Sequence, residues 1–157
     1  MKRCLASSNR KRLTVEEGSG AIVNGIDGKT NDLLSKQEFG DVEFSMEFMI
    51  PEGSNSGVKF HGLYEIQIVD SWKVKTPTAS DCGGIYPRAE QEPKYHHIDK
   101  GFPPATNATL PPGEWQSLQV IFHAPRFDDQ GMKTANAKFV RVVLNGKLIH
   151  ENVEVAY

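Results

Sequence analysis

At 157 residues the chain has the length of one domain and is long enough to bury a core without disulfide or metal staples. Apolar residues make up 38%, charged residues 24%, and the formal net charge is -2, a profile without overall bias toward nucleic acid or an anionic membrane. No window reaches the length of a membrane span, and Cys4 and Cys82 are too far apart in sequence to imply a disulfide.

The chain opens with Lys2, Arg3, Arg10, Lys11 and Arg12, interrupted over 4–9 without an apolar run of signal-peptide length. No secretory signal is therefore visible, and the compartment is left open. Residues 1–32 read as an N-terminal segment with the first strand of a sandwich, and 33–157 as the body of a single domain. "DGKTND" fails the calcium-loop pattern and reads as a turn. From Val42 to Ile50, Glu43, Ser45 and Glu47 alternate with Val42, Phe44, Met46, Phe48 and Ile50, which predicts a strand with one apolar and one polar side. "SGVKFHG" repeats the pattern, with Val58 and Phe60 against Lys59 and His61. "YEIQIVDS" follows, with Ile66 and Ile68 on one side and Glu65 and Gln67 on the other. Asp70 is five residues beyond Glu65, so without a bulge it faces the opposite side and reads as a strand-end residue.

Residues 72–112 read as a long loop rich in Gly, Pro and His, a length that points to function. It contains Cys82, read as a small buried thiol, and Arg88, which can reach inward as a clamp for carbonyl or hydroxyl groups. It also contains His96, His97 and Asp99; adjacent histidines suit a metal ligand or a base near neutral pH. Further strands are predicted over 115–122, 138–144 and 148–155, the last two joined by an Asn-Gly hairpin. Arg126 falls in a turn-rich loop between them. No stretch of a dozen residues has a helical period. The pattern is that of an all-β protein, two antiparallel sheets packed face to face. If the strands over 42–50, 57–61 and 64–70 are neighbours, then Glu43, Ser45, Glu47, Lys59, His61, Glu65 and Gln67 share one surface. Such a mixture of carboxylates, amide, imidazole and ammonium suits a polyhydroxylated ligand.

The ordered set "EFGDVEFSMEFMIPEGSNSGVKFHGLYEIQIVDS", "CGGIYPRAE", "PPGEWQSLQVIFHAPRFD" and "VVLNGKLIHENVEV" resembles the 3-keto-disaccharide hydrolase domain family, also described as 3-keto-glucoside 1,2-lyase and 3-keto-2-hydroxy-glucal hydratase domains. The resemblance runs from Leu33 to Val155. It implies a concanavalin A-like jelly-roll sandwich with long loops and a 3-keto-glycoside or oxidised sugar as substrate. The chain departs from the family at both ends: "KRLTVEEGSG" matches its opening segment poorly, and the family's final strand is not reached. Family members are often bacterial and periplasmic or secreted, and a sugar 3-dehydrogenase is the implied pathway partner.

The implied chemistry needs a base for the C2 proton, a stabiliser for the enolate oxygen and an acid for the leaving group. Glu65, His96 and His97 are the candidate bases, with Lys59 and Arg88 as clamps. Glu47, His61, Gln67 and Arg126 are the expected substrate contacts. A divalent cation is the cofactor option, with His61, Glu65 and His97 as its expected ligands. The other reading is a non-catalytic, lectin-like carbohydrate-binding module, which would need aromatic platforms on this face. The face strands carry ionisable groups and few aromatics, which favours an enzyme.

Overall fold

The computed structural model describes the backbone of residues 2–6 and 13–17, and residues 20–24 and 30–156 with their side chains. Strands β1 (Lys2–Ala6) and β2 (Leu13–Glu17) pair with each other in an antiparallel hairpin. The main body contains β3 (Val42–Phe48), β4 (Asn55–Phe60), β5 (Tyr64–Val69), β6 (Ala89–Glu90), β7 (His96–His97), β8 (Gln116–His123), β9 (Arg126–Phe127), β10 (Lys133–Ala135), β11 (Ala137–Leu144) and β12 (Lys147–Val155). Among the described residues there is no helix, and every strand pairing is antiparallel. The all-β sandwich expected from the alternation is therefore the observed architecture.

One layer is a four-stranded sheet in the order β12-β11-β8-β3. The other is built on the β4-β5 pair, widened by single-residue bridges from Ile66 to Ile85 and from Ile85 to Phe102. The stretch read as a long loop thus supplies two further strand positions. Their ladders stay short because Pro87, Pro103 and Pro104 bring no backbone N–H to a sheet. Gly101 beside them holds φ at 58°, and a side chain there would meet the Ile85 carbonyl and Pro87.

The two layers meet through aromatic side chains. Phe60 lies 5.2 Å from Phe122 and 5.5 Å from Phe139 between ring centroids, and Tyr64 lies 5.7 Å from Phe122. Around them Ile66, Ile68, Ile85, Leu118, Val120 and Val142 are buried. Complete burial of a side chain such as Phe122 stabilises the fold by roughly 1.5–3 kcal/mol. The Asn-Gly turn between β11 and β12 has φ of 50° at Asn145 and 76° at Gly146, the doubly positive conformation that matches the twist of a two-residue hairpin.

The layer assignment corrects one expectation. β3 pairs with β8 along its whole length, from Val42 opposite Phe122 to Phe48 opposite Gln116, and not with β4 or β5. Between β3 and β4 the chain turns at Pro51 to Ser54, with Gly53 at φ 73°, and crosses from one layer to the other. Glu43, Ser45 and Glu47 therefore sit on the outside of the four-stranded sheet, across the sandwich from Glu65. Alternation fixes the face of a strand but not the sheet it joins.

Candidate functional site

The outer side of the β4-β5 layer is organised in two rows. Lys59 is opposite Glu65 in the register, and Tyr86 N donates to Glu65 O at 2.9 Å, so Lys59, Glu65 and Tyr86 form one row. Gly57 is opposite Gln67, which exchanges backbone bonds with Gly84 (2.9 Å) and Gly83 (2.8 Å), so Gly57, Gln67 and Gly84 form the next. Directly opposed residues project to the same side of a sheet.

The glycines on either side of Gln67 are spaces that neighbouring groups occupy. A side chain at Gly57 would overlap the Glu65 carboxylate, and one at Gly84 would collide with the Ala79 carbonyl. The Glu65 carboxylate thus lies diagonally over Gly57, and the segment around Ala79 folds back beside Gln67. This covering makes Gln67 only 4% exposed, although its strand position faces outward. Its Oε1 is buried without a hydrogen-bond partner, a state that costs about 1–3 kcal/mol unless a ligand or water satisfies it.

Glu65 is half-buried, and burial pushes its carboxyl above the usual carboxylate range; Lys59 opposes that shift and Asp32 reinforces it. A carboxylate raised in this way is a better base than an exposed one. Tyr86 next to it is likewise held up, by burial, a hydrogen bond to Tyr95 and the nearby Glu65 charge. Tyr95 Oη lies 3.1 Å from His97 Nε2, and the His97 ring stands 5.5 Å from Tyr86 at 88° and 5.5 Å from Tyr95 at 73°.

This aromatic corner is held by β6 and β7 and by a clamp at their base. Arg88 Nε donates to Asp99 Oδ2 at 2.7 Å, while Arg88 N and Gly101 N each donate to Asp99 Oδ1 at 3.0 Å. Burial alone would raise the Asp99 carboxyl, but these donors outweigh it and hold the group below its ordinary value. Arg88 therefore contributes through Asp99, as an anchor of the loop that carries Tyr95 and His97.

Of the predicted residues, Lys59, Glu65 and Gln67 share one face, and His97 reaches it through Tyr86. His96 follows the opposite parity to His97: its Nδ1 lies 2.9 Å from Lys94 O and its Nε2 3.9 Å from Glu90. His61 sits at the β4–β5 turn with φ 53°, its Nε2 3.3 Å from Gly40 O and its ring 5.6 Å from Phe122, at the end of the sandwich and off this face. Arg126 grips Asp41 with two bonds of 2.9 and 2.6 Å, beside the start of β3. The expected contacts from Glu47, His61 and Arg126 are thus not part of the cluster. Among the described residues no three His, Cys, Asp or Glu side chains stand together as metal ligands. The set His61, Glu65 and His97 does not converge on a cation site.

Asp70 accepts from Gly53 N (3.0 Å) and Trp72 N (3.2 Å), as a strand-end residue does. Cys82 is buried and its thiol is pushed up to about 11, chiefly by burial, which leaves it unreactive. A groove of about 420 Å³ runs along the outer side of the four-stranded sheet past Glu43, Ser45, Gln119 and Arg141. It is formed by the ordinary outward rows of three neighbouring strands.

Sequence reasoning missed Tyr86, Tyr95, Asp32 and Gly57. Only Gly57 carried a local signal, since an isolated glycine inside a strand pattern marks a close approach of another group.

The fold is that of an antiparallel β-sandwich, and one solved structure shares it. A protein from Parabacteroides distasonis ATCC 8503, solved as a "putative glycosyl hydrolase", superposes with a TM-score of 0.62 at 27% identity, over 77% of this chain and 49% of the other. The chain thus spans about half the length of that structure. The family model of the 3-keto-alpha-glucoside-1,2-lyase-like domain matches residues 5–156, and the chain belongs to that family. Among curated proteins none matches.

Proposed function

We propose that the protein acts on 3-keto-glycosides, with Glu65 as the base that removes the C2 proton. The C3 ketone makes that proton acidic, and the charge that develops on the C3 oxygen is stabilised by a positioned cation. Lys59, opposite Glu65 in the same row, supplies it. As the C1–O bond breaks, the C2–H electron pair becomes the C1–C2 double bond and the sugar leaves as an unsaturated ketone, to which water can add. The ketone itself has to come from an enzyme that oxidises C3 of the glycoside.

The observation that carries this reading is the pairing of a half-buried carboxyl held above its usual range with an adjacent amide oxygen that has no protein partner. A buried acceptor without a partner beside a tuned base is an anomaly of the kind that gathers at functional sites. The direct test is to mix the protein with methyl and aryl 3-keto-glucosides of both anomers and follow the ultraviolet absorbance of the enone. Turnover that disappears in Glu65→Gln supports the proposal; no absorbance change with any of them, at protein concentrations where binding is saturated, overturns it.

The half-exposed Tyr95 beside Tyr86 supports one further reading, a binding module in which a sugar ring stacks on these aromatics. Glycoside binding without turnover, by a protein whose affinity falls in Tyr95→Ala and not in Glu65→Gln, selects it.

A further inference from the structure

Elimination from a glycoside needs a proton on the departing oxygen as well as a base at C2, and the arrangement around Tyr86 assigns that second role. A cavity of about 370 Å³ opens at the free edge of the sandwich, lined by Tyr64, Tyr86, Arg88, Phe102 and the last residues of β12, among others. Neither Glu65 nor Lys59 lines it. The order across the layer is β4, β5, the Ile85 segment and then Phe102. Tyr86 therefore stands between the carboxylate on one side and the cavity on the other. A glycoside whose ring carbons lie over Glu65 and whose leaving group occupies the cavity brings its glycosidic oxygen to the Tyr86 hydroxyl.

Lys100 also lines the cavity, but the remaining polar groups nearby are set aside by position or engagement. Lys59 lies on the far side of Glu65 from the cavity. Arg88 is committed to Asp99 at 2.7 Å, and Glu154, at the cavity's other wall, is paired with Lys138 at 3.3 Å. Tyr86 is backed by Tyr95, whose hydroxyl meets His97 Nε2 at 3.1 Å, and by the His97 ring packed edge-on against it. These contacts restrict where the phenol can point.

We propose that Tyr86 is the acid that protonates the leaving-group oxygen, with Tyr95 and His97 as positioning residues that aim its hydroxyl. The proposal rests on the reading of Glu65 as the base. In the step, Glu65 reversibly takes the C2 proton and the C2–H pair is held as an enolate with its charge on the C3 oxygen, from which C2 can be reprotonated with solvent hydrogen. The enolate then forms the C1–C2 double bond as the C1–O bond breaks with its electrons on oxygen. The Tyr86 proton passes to that oxygen, leaving a phenolate. Solvent returns a proton to Tyr86 through Tyr95, and Glu65 releases its proton to water, so the enzyme is restored without oxidant or reductant.

The test separates the two roles by running the reaction in deuterium oxide with methyl and 4-nitrophenyl 3-keto-glucosides. A methoxide leaving group needs a proton donor, while 4-nitrophenolate departs without one. Exchange of the C2 hydrogen reports the base alone. Tyr86→Phe is expected to keep C2 exchange within about tenfold of wild type, to lose about 10²- to 10⁴-fold in methanol release, and to lose less than tenfold with the nitrophenyl substrate. Tyr95→Phe and His97→Gln, which leave the phenol in place, are expected to show the same selectivity with a smaller loss, in kcat more than in KM. Equal losses on both substrates, or unaltered methanol release by Tyr86→Phe with its thermal unfolding intact, overturns the assignment while leaving Glu65 as base. Absence of C2 exchange in the wild type overturns both.

Discussion

Gly57→Ala tests whether the glycine exists to seat the Glu65 carboxylate. The Cβ of an alanine would stand 2.7 Å from Glu65 Cδ and 2.8 Å from Cγ, where unstrained carbon contacts fall at about 3.5–4.0 Å. The carboxylate would have to retreat by about 1 Å, because the strand backbone cannot. Residue 57 is not among those with positive φ, so alanine itself is not strained there, and in a strand interior it is favoured over glycine by roughly 0.5–1 kcal/mol. A displacement of that size at a reacting group costs about 100-fold in rate. The expected outcome is thus an unusual pairing: kcat for a 3-keto-glucoside falls about 100-fold while the urea midpoint stays or rises. Turnover within threefold of wild type would refute the reasoning, and so would a large loss of stability, which would mean that Gly57 serves the backbone and not Glu65.

Three further outcomes follow from the charged groups. Because the folded state holds the Glu65 carboxyl above its unfolded value, wild-type stability falls as pH rises through that range, and Glu65→Gln removes the effect. Urea unfolding should show the variant gaining on wild type at pH 7.5 relative to pH 4. His150 is buried with Nε2 2.7 Å from Gly83 O, and burial lowers its pKa against the opposing pull of that carbonyl. The unfolded chain then takes up a proton first as pH falls below about 6.5. Stability should drop between pH 7 and 5, and His150→Gln should flatten that slope. Asp41 is lowered to about 2, first by its hydrogen bond from Arg126. Its contribution is present above the ordinary carboxylate range and lost as pH falls through about 2, so Asp41→Asn should be less stable than wild type at pH 6 and indistinguishable from it below pH 2.

Much of the sandwich is legible in the sequence because burial on one side of a strand imposes period two. Val42–Phe48, Tyr64–Val69 and the Asn-Gly hairpin are found where the alternation and the turn residues put them. Sheet membership is not encoded in parity, so parity alone groups Glu47 with Glu65 although β3 belongs to the opposite layer. Isolated bridges leave no alternation to read, so Ile85 and Phe102 were hidden among prolines, and with them the placement of Tyr86 beside Glu65. Alternation places Gln67 on the exposed side, because it says nothing of the segment around Ala79 that folds over its row. Parity fails for His61 for a related reason: at φ 53° it has already left the strand geometry on which parity depends.

The central claim is that Glu65 removes the C2 proton, and deuterium uptake at C2 of a 3-keto-glucoside measures that step directly, whatever the fate of the leaving group. The wild type is predicted to incorporate deuterium from solvent at C2, and Glu65→Gln to slow this by about 10²- to 10⁴-fold with its fold intact. Exchange at the same rate in both proteins would contradict the account.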